Sequence, residues 1–451
     1  MRCGETIRRS AEIVRKYAEK GNSVAVVVSA ISGVTDELIQ ALNSAERGRE
    51  KEVLDFIEKL RKKHLEACRE SIRDQAIRDE VWRAEEEEIG ELQKLLSVIA
   101  YLKEVTPRVR DYVLSFGERL STRIFWGALR DLGLKAEYLR GWEAGIVTND
   151  NFGAARPLMS ITYREVRNRL NPLMEQGVIP VVTGFIAATP DGVVTTLGRG
   201  GSDYSATIIG AALKVDEIIL WKDVDGIMTA DPKLVPDAKT IPKMSYDEVI
   251  ELAYFGAEVV HPLALEPAAR EGIPIRVKNL FRPDFEGTVI TKTAEGPTVK
   301  ALTMIKNAAI ILISGSGMLE PPTAALRILE LMNQLDVRIF MLSQASSQAN
   351  ISIAIPKEDL EKVLKAVKRE FAPGEVKMEY EEGVCVIAVI GSGMRGKPGV
   401  AAKIFNAVAE EGVNIRMIAQ GSSELNISFA VKEEDGVKAL RAVHNAFRLN
   451  A

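Results

Sequence analysis

Histidine and cysteine are scarce in this chain, with three of each among 451 residues. Cys3, Cys68 and Cys385 are scattered and odd in number, which argues against a disulfide framework and against a cysteine-based zinc site. Three histidines leave little for a His-based metal centre. Long apolar runs are missing too. The longest, residues 24–30 and 384–390, fall far short of the ~20 residues a membrane-spanning helix needs, so no membrane partner is expected. There is no basic excess: 59 Lys and Arg against 63 Asp and Glu give a net charge of −4, which argues against nucleic acid as a bulk partner. The N-terminus opens on a charged helical pattern and not on an apolar signal segment, so a cytoplasmic location is expected. What remains is the composition of a soluble globular protein, 46% apolar and 27% charged, and long enough for two to four domains.

Short β-rich runs at 23–29, 178–183, 217–221 and 273–277 alternate with amphipathic helical patterns. That alternation predicts a mostly parallel sheet with helices on its faces. Residues 46–106 are dense in Glu, Lys and Arg with leucines at helical spacing, and read as a helical insertion with a solvated, ion-paired face. Short polar residues at 291–297 mark a domain boundary. Beyond it the chain repeats itself. Gly315-Ser316-Gly317-Met318 returns as Gly391-Ser392-Gly393-Met394, and the block at 344–352 returns at 420–428, both after the same 76-residue step. Two blocks sharing one offset indicate a duplication. Each copy reads strand, glycine turn, helix, strand, loop, strand, helix.

The densest chemical signal is Thr195-Thr196-Leu197-Gly198-Arg199-Gly200-Gly201-Ser202-Asp203-Tyr204, just before an apolar helical run at 206–213. Glycines admit a ligand close to the backbone, and a helix N-terminus offers unpaired N–H groups to an anion. Arg199 adds a planar fork for a carboxylate or phosphate. A second glycine cluster, Gly391-Ser392-Gly393-Met394-Arg395-Gly396, matches the dinucleotide fingerprint. No acidic residue ends the next strand, and the sister copy has Glu320 in place of the third glycine. A structural turn shared by both copies is the better reading.

Several ordered segments together resemble the aspartate kinases of the amino-acid kinase superfamily. They are Val26-Val27-Val28-Ser29-Ala30 with Thr35, Ser115-Phe116-Gly117-Glu118-Arg119-Leu120-Ser121, Thr183-Gly184-Phe185-Ile186, and the Gly-Arg-Gly-Gly segment. Trp221-Lys222-Asp223-Val224-Asp225-Gly226, Tyr254-Phe255-Gly256-Ala257 with His261-Pro262, and Val277-Lys278-Asn279 complete the set. The paired repeats are similar to tandem ACT regulatory domains. The resemblance implies an α/β fold: an amino-acid-kinase-type, mostly parallel sheet sandwiched by helices, then two α+β ACT domains of βαββαβ order. Residues 1–295 would be the kinase domain, 308–374 the first ACT domain, and 375–451 the second, completed by a strand at 300–307.

The reaction so implied transfers the γ-phosphoryl group of ATP, with Mg2+, to the β-carboxylate of L-aspartate. An aspartate carboxylate is already ionised at neutral pH, so this nucleophile needs no general base. Catalysis is then positioning plus positive charge. By resemblance, Glu118 pairs with the aspartate ammonium, while Arg199, Thr35 and Ser202 hold its carboxylates. Gly200 and Gly201 bring backbone to the same ligand, Ser29 and Gly184 line the transfer region, and Asp203 orients a catalytic cation. Lys222, Asp223, Met228, Lys233, Glu258 and Val259 occupy the nucleotide-contact positions. Taken singly, these residues have blander readings. Ser29 could end a strand, Glu118 could pair with a neighbouring Arg, and Thr35 could cap a helix beginning at Asp36.

In the repeats, Met318, Gln344, Ser347 and Asn350 of the first copy, and Gln420, Ser423 and Asn426 of the second, are the effector-binding candidates. An amide side chain can serve both ends of an amino acid. Lysine or threonine is the effector the resemblance implies, and a homodimer or higher oligomer through the ACT domains is expected. One departure stands out. Aspartate kinases begin with a strand ending in Lys-Phe-Gly-Gly-Thr-Ser, and this chain matches the family only after that motif. Two expectations follow: a natural protein that carries the motif upstream, or a catalytically silent relative that acts as a regulatory partner. The first is preferred because the other substrate residues are retained. As numbered, the chain is expected to have little kinase activity and to leave Asp203 without its lysine.

Overall fold

The computed structural model describes residues 3–256, 259–315, 321–344 and 350–450. In chain order the elements are α1 (Gly4–Glu19), β1 (Val26–Val28), α2 (Val34–Glu46), α3 (Glu50–Ser71), α4 (Gln75–Leu102), α5 (Pro107–Asp131), β2 (Ala136–Leu139) and α6 (Met159–Glu175). They continue as β3 (Ile179–Thr183), β4 (Ile186–Ala188), β5 (Val194–Thr196), α7 (Gly201–Leu213), β6 (Ile218–Lys222), β7 (Lys243–Ser245), α8 (Tyr246–Tyr254), α9 (Pro262–Glu271), β8 (Ile275–Asn279) and β9 (Thr288–Thr291). The repeats supply β10 (Ala301–Ser314), α10 (Pro321–Gln334), β11 (Met341–Gln344), β12 (Asn350–Pro356), α11 (Leu360–Glu370), β13 (Lys377–Ile390), α12 (Val400–Glu410), β14 (Ile415–Gln420), β15 (Asn426–Lys432) and α13 (Glu433–Ala446). These elements form two compact units, one of residues 1–223 and 260–285, the other of residues 224–259 and 286–451.

In the first unit β1 and β2 flank β3, all parallel, with Val26 opposite Val181 and Ala136 opposite Ile179. β6 and β8 make a second parallel pair, and β4 and β5 an antiparallel hairpin. All four β-rich runs anticipated from sequence are strands. Each residue of β3 is buried, as expected for a strand covered on both faces. The charged insertion is α3 and α4. Asp74 caps α4 by accepting the Ile77 N–H at 2.9 Å, and Thr106 caps α5 with Pro107 in its first turn. At Gly127 of α5 a methyl group would stand 2.7 Å from Ile72 and from Val81, so the missing side chain lets these helices close up.

The insertion is not simply a solvated charged face. Glu88 is 6% exposed and accepts from Arg119 (3.0 Å), Arg123 (2.8 Å) and Arg140 (3.2 Å), none of them on its own helix. Glu85 is fully buried, and burial followed by the neighbouring Glu88 charge pushes its carboxyl well above the usual range. Two long helices packed on α5 necessarily turn one charged stripe inward. The pattern of charge could not say which stripe.

In the second unit β7 and β9 pair in parallel, and the repeats merge into one antiparallel sheet of order β11-β12-β10-β13-β15-β14. β10 and β13 lie at its centre, paired from Ala301 opposite Ile390 to Ser314 opposite Lys377, with a register shift around 305–308 where Asn307 takes a φ of 53°. Two apolar cores result, one per copy. Val299 and Leu302 join the core of the second copy, whereas Ala309, Ile311 and Ile313 join that of the first. One long strand thus serves both copies in succession.

Candidate functional site

The first unit gathers its polar residues where β1 and β3 end, as parallel sheets do at the carboxyl ends of their strands. Past β1, the Ser29 carbonyl accepts from Ser121 Oγ at 2.8 Å, and the Ala30 N–H donates to Glu118 Oε1 at 3.2 Å. Past β3, the Gly184 N–H donates to the Val28 carbonyl at 2.9 Å. A methyl on Gly117 would lie 3.1 Å from Ala30 Cβ, so the glycine before Glu118 sets α5 against the end of β1. A methyl on Gly184 would stand 2.7 Å from Ser202 Oγ, which makes Gly184 a close-approach glycine. Ser29, Glu118, Gly184 and Ser202 are therefore neighbours. Thr35 is half-buried in the first turn of α2. That helix starts at Val34 with Gly33 as its cap (φ 81°), so Thr35 does not cap it.

The Gly-Arg-Gly-Gly segment forms the turn into α7. Gly200 caps the helix at φ 72°, a conformation that glycine tolerates and side chains resist, and Gly201 is its first residue. Gly200 also has no room for a side chain, because a Cβ there would overlap His261, the N-cap of α9. Arg199 is exposed and, among the described residues, makes no hydrogen bond or ion pair. Burial lowers the His261 pKa, the Arg199 charge lowers it further, and Asp203 opposes them. Ser205 ties the turn to β3 by accepting the Phe185 N–H at 3.0 Å and donating to the Gly201 carbonyl at 2.9 Å. Neither His261 nor Ser205 was singled out for the site by sequence. A hydroxyl four residues after Gly201 was the signal for Ser205.

Two geometries decide what the site can do. Glu118 is 3% exposed and, among the described residues, its Oε2 has no hydrogen-bond partner. Burial pushes its pKa up to about 8, opposed chiefly by the Ala30 N–H and its own backbone N–H. Its neighbour Arg119 is committed to Glu88 and Glu91, so the local ion pair that adjacency suggested does not form. An empty acceptor of this kind fits an ammonium ligand, which would satisfy the orphan oxygen and favour the charged carboxylate. Asp203 differs. Lys222 Nζ, at the end of β6, lies 2.7 and 2.9 Å from its two oxygens. Asp203 is expected to lack the lysine of the Lys-Phe-Gly-Gly-Thr-Ser motif, and a different lysine, Lys222, pairs with it, delivered by β6 from 19 residues along the chain. Spacing could not show this, because strand and helix meet only in the fold.

Of the nucleotide-contact positions, Lys222 and Asp223 lie in the first unit, while Met228, Lys233 and Val259 belong to the second and Glu258 lies outside the described residues. Lys233 is exposed. In the repeats, Gln344 pairs with Ile351 beside Asn350, and Gln420 with Ile427 beside Asn426, so the two glutamines hold equivalent places in their own copies, at opposite ends of the central β10–β13 pair. Gln344, Gln420 and Ser423 are exposed, whereas Met318 and Ser347 lie outside the described residues. Asn426 donates from Nδ2 to Glu251 (3.2 Å) and accepts from Ser428 Oγ (3.1 Å). The glycines of the second copy's turn press on backbone: a methyl on Gly391 would lie 2.5 Å from the Thr298 carbonyl oxygen, and one on Gly393 2.8 Å from that of Pro297. They serve chain packing, as a structural turn requires.

Comparison with known proteins agrees with this arrangement. Residues 1–279 match the amino acid kinase family, and residues 311–371 and 387–447 each match the ACT domain. The chain is 35% identical to aspartokinase 1, chloroplastic, of Arabidopsis thaliana, over 98% of this chain and 78% of that protein. It is 32% identical to the bifunctional aspartokinase/homoserine dehydrogenase 2 of the same plant, but spans only 49% of that longer enzyme. The crystal structure of E. coli aspartokinase III in complex with lysine and aspartate superposes with a TM-score of 0.80 at 27% identity, covering 98% of this chain and 96% of the other. The same enzyme with aspartate and ADP gives the same score. Among the described residues no helix is long and apolar enough to cross a membrane. A kinase-type unit that presents an unsatisfied acid and a free guanidinium, joined to a duplicated ACT sheet and matched along nearly its whole length, places this chain in the aspartokinase family.

Proposed function

We propose that the chain uses the first unit to phosphorylate the β-carboxylate of L-aspartate, giving 4-phospho-L-aspartate, under feedback from an amino acid at its ACT repeats. The observation that carries the reading is the buried Glu118 oxygen with no partner. It sits beside Ser29, Gly184 and Ser202, with Arg199 free for a carboxylate. Glu118 binds the substrate ammonium. Arg199 takes a carboxylate by its fork, Thr35 and Ser202 donate hydroxyls, and the α7 N-terminus with Gly200 and Gly201 adds backbone N–H groups and dipole. The β-carboxylate oxygen is thereby held ionised, ready to bond to phosphorus as the β,γ-bridging oxygen departs.

ATP supplies the phosphoryl group and brings Mg2+ bound to its phosphates. Magnesium bound through phosphates needs few protein ligands of its own. Lys222 and Asp223 serve the nucleotide, with Met228, Lys233, Glu258 and Val259 as its further contacts. Lys222 is held by Asp203 in the first turn of α7. It offsets charge as two anions approach each other. Residues 1–295 act as the kinase domain, with residues 308–374 and 375–451 as the ACT pair. Lysine or threonine is the proposed effector. The cytoplasm is the proposed compartment, with the chloroplast of the named relatives as the alternative.

Glu118→Gln tests the reading. The KM for aspartate should rise on the order of 100-fold, about 2.7 kcal/mol, while the KM for ATP stays within about twofold. An unchanged aspartate KM would refute the assignment. Exposed Leu326 and Leu329 on α10 and Leu342 on β11 support assembly into at least a homodimer through the first repeat. A monomer in sedimentation experiments at micromolar concentration would refute that.

A further inference from the structure

α8 meets the second repeat with two carboxylates, three residues apart on one helical stripe. Glu248 is fully buried. Its Oε2 accepts from the Ser245 N–H (2.7 Å) and Lys300 Nζ (2.9 Å), and its Oε1 accepts from the Ser392 N–H (2.7 Å) in the glycine turn. Glu251 accepts from the Asn426 amide, whose own oxygen takes the Ser428 hydroxyl. One turn further, Tyr254 donates to the Ile339 carbonyl of the first repeat at 2.6 Å, and Arg338 binds the Tyr254 carbonyl and stacks on its ring.

Glu248 holds a backbone N–H of the glycine turn, and Glu251 holds the amide of Asn426, an effector-binding candidate of this repeat. The N–H and the amide are both donors, and both already hold a carboxylate, the group a free amino acid would present. The Asn426 amide is engaged at both ends, with a carboxylate on one of its two N–H groups and a hydroxyl on its oxygen. Lys300 closes the arrangement by neutralising Glu248 and bonding the Ala294 carbonyl at 2.9 Å.

We propose that α8 is a built-in ligand of the second repeat: its Glu248 and Glu251 carboxylates fill the place of an amino acid's carboxylate and close this copy to free amino acids. The inference rests on reading the repeats as amino-acid sites. It adds that the two copies have divided their roles, the second holding a helix where an effector would sit.

Calorimetric titration of L-lysine and, separately, L-threonine into the full-length chain without ATP or aspartate tests this. In Glu251→Ala, an additional binding event should appear, or overall affinity should rise at least about tenfold, for one of the two amino acids. Adding Asn426→Ala should abolish that gain. Glu251 is only half-buried, so the variant is not expected to unfold. Identical titrations of Glu251→Ala and the parent would overturn the proposal. If both bind equally, effector binding stands and the built-in ligand fails; if neither binds, the reading of the repeats falls with it. A second measurement does not depend on any amino acid. In Asn426→Ala alone, amide hydrogen exchange over residues 246–255 should quicken at least about tenfold, and an unchanged rate would likewise overturn the proposal.

Discussion

Glu118 in the first unit and Glu248 in the second are both helical glutamates taken out of water, and the fold treats them in opposite ways. Glu118 keeps one oxygen without a partner, and burial raises its pKa to about 8 from an ordinary 4.5. For Glu248 burial pulls in the same direction, but the Ser245 and Ser392 N–H groups and the Lys300 ammonium outweigh it and hold the carboxyl below its ordinary value. A buried charge that is fully satisfied ties segments together. A buried acid left half-satisfied is costly, and a ligand able to complete it recovers that cost on binding. The difference separates a structural tie from an acid left open to a ligand.

The comparison can be broken most forcefully at Lys300. Its side chain is 1% exposed and, among the described residues, is the only cation paired with Glu248. Lys300→Met should destabilise the chain by about 3–5 kcal/mol in denaturant unfolding, because it strands a buried carboxylate. A loss below about 1 kcal/mol would mean that the two N–H groups suffice.

A smaller effect sharpens the contrast through pH. Glu118 has a folded pKa above its unfolded value, so its contribution to stability is complete below about pH 4.5 and is lost as pH rises towards 8. Over that window the slope should approach about 1.4 kcal/mol per pH unit at most, and Glu118→Gln should remove it. Glu248 has a depressed folded pKa, so its contribution is present above its ordinary value near 4.5 and is lost as pH falls through the folded pKa. The same ionisation governs binding. Aspartate KM should fall between about pH 6 and 8 as Glu118 charges, and become flat there in Glu118→Gln. A flat profile in the parent would remove Glu118 from the ammonium site.

Much of this was legible in the sequence. The strand runs became β1, β3, β6 and β8, and the 76-residue step became two copies of one topology sharing a sheet. These are local matters, set by β-rich runs, glycine positions and self-similarity. The solvated reading of the charged insertion failed at Glu85 and Glu88, because periodicity names a face without naming what packs on it. Ser245 and Glu248 form a capping box that opens α8, and the same Glu248 also holds the glycine turn at Ser392, a contact that no local pattern encodes.

The sequence by itself determined which chemistry is present: a glycine-rich anion turn, a guanidinium, an acid after a glycine, and duplicated amide-bearing loops. It did so because residue type and short spacing fix backbone freedom and functional groups. Only the tertiary structure decided which groups are already satisfied. Lys222 is given to Asp203, Arg119 to Glu88, and Asn426 to Glu251, while Glu118 keeps an oxygen unpaired. The reason is physical: hydrogen bonds and desolvation depend on distances of a few ångströms between residues up to 175 positions apart, which no local pattern encodes.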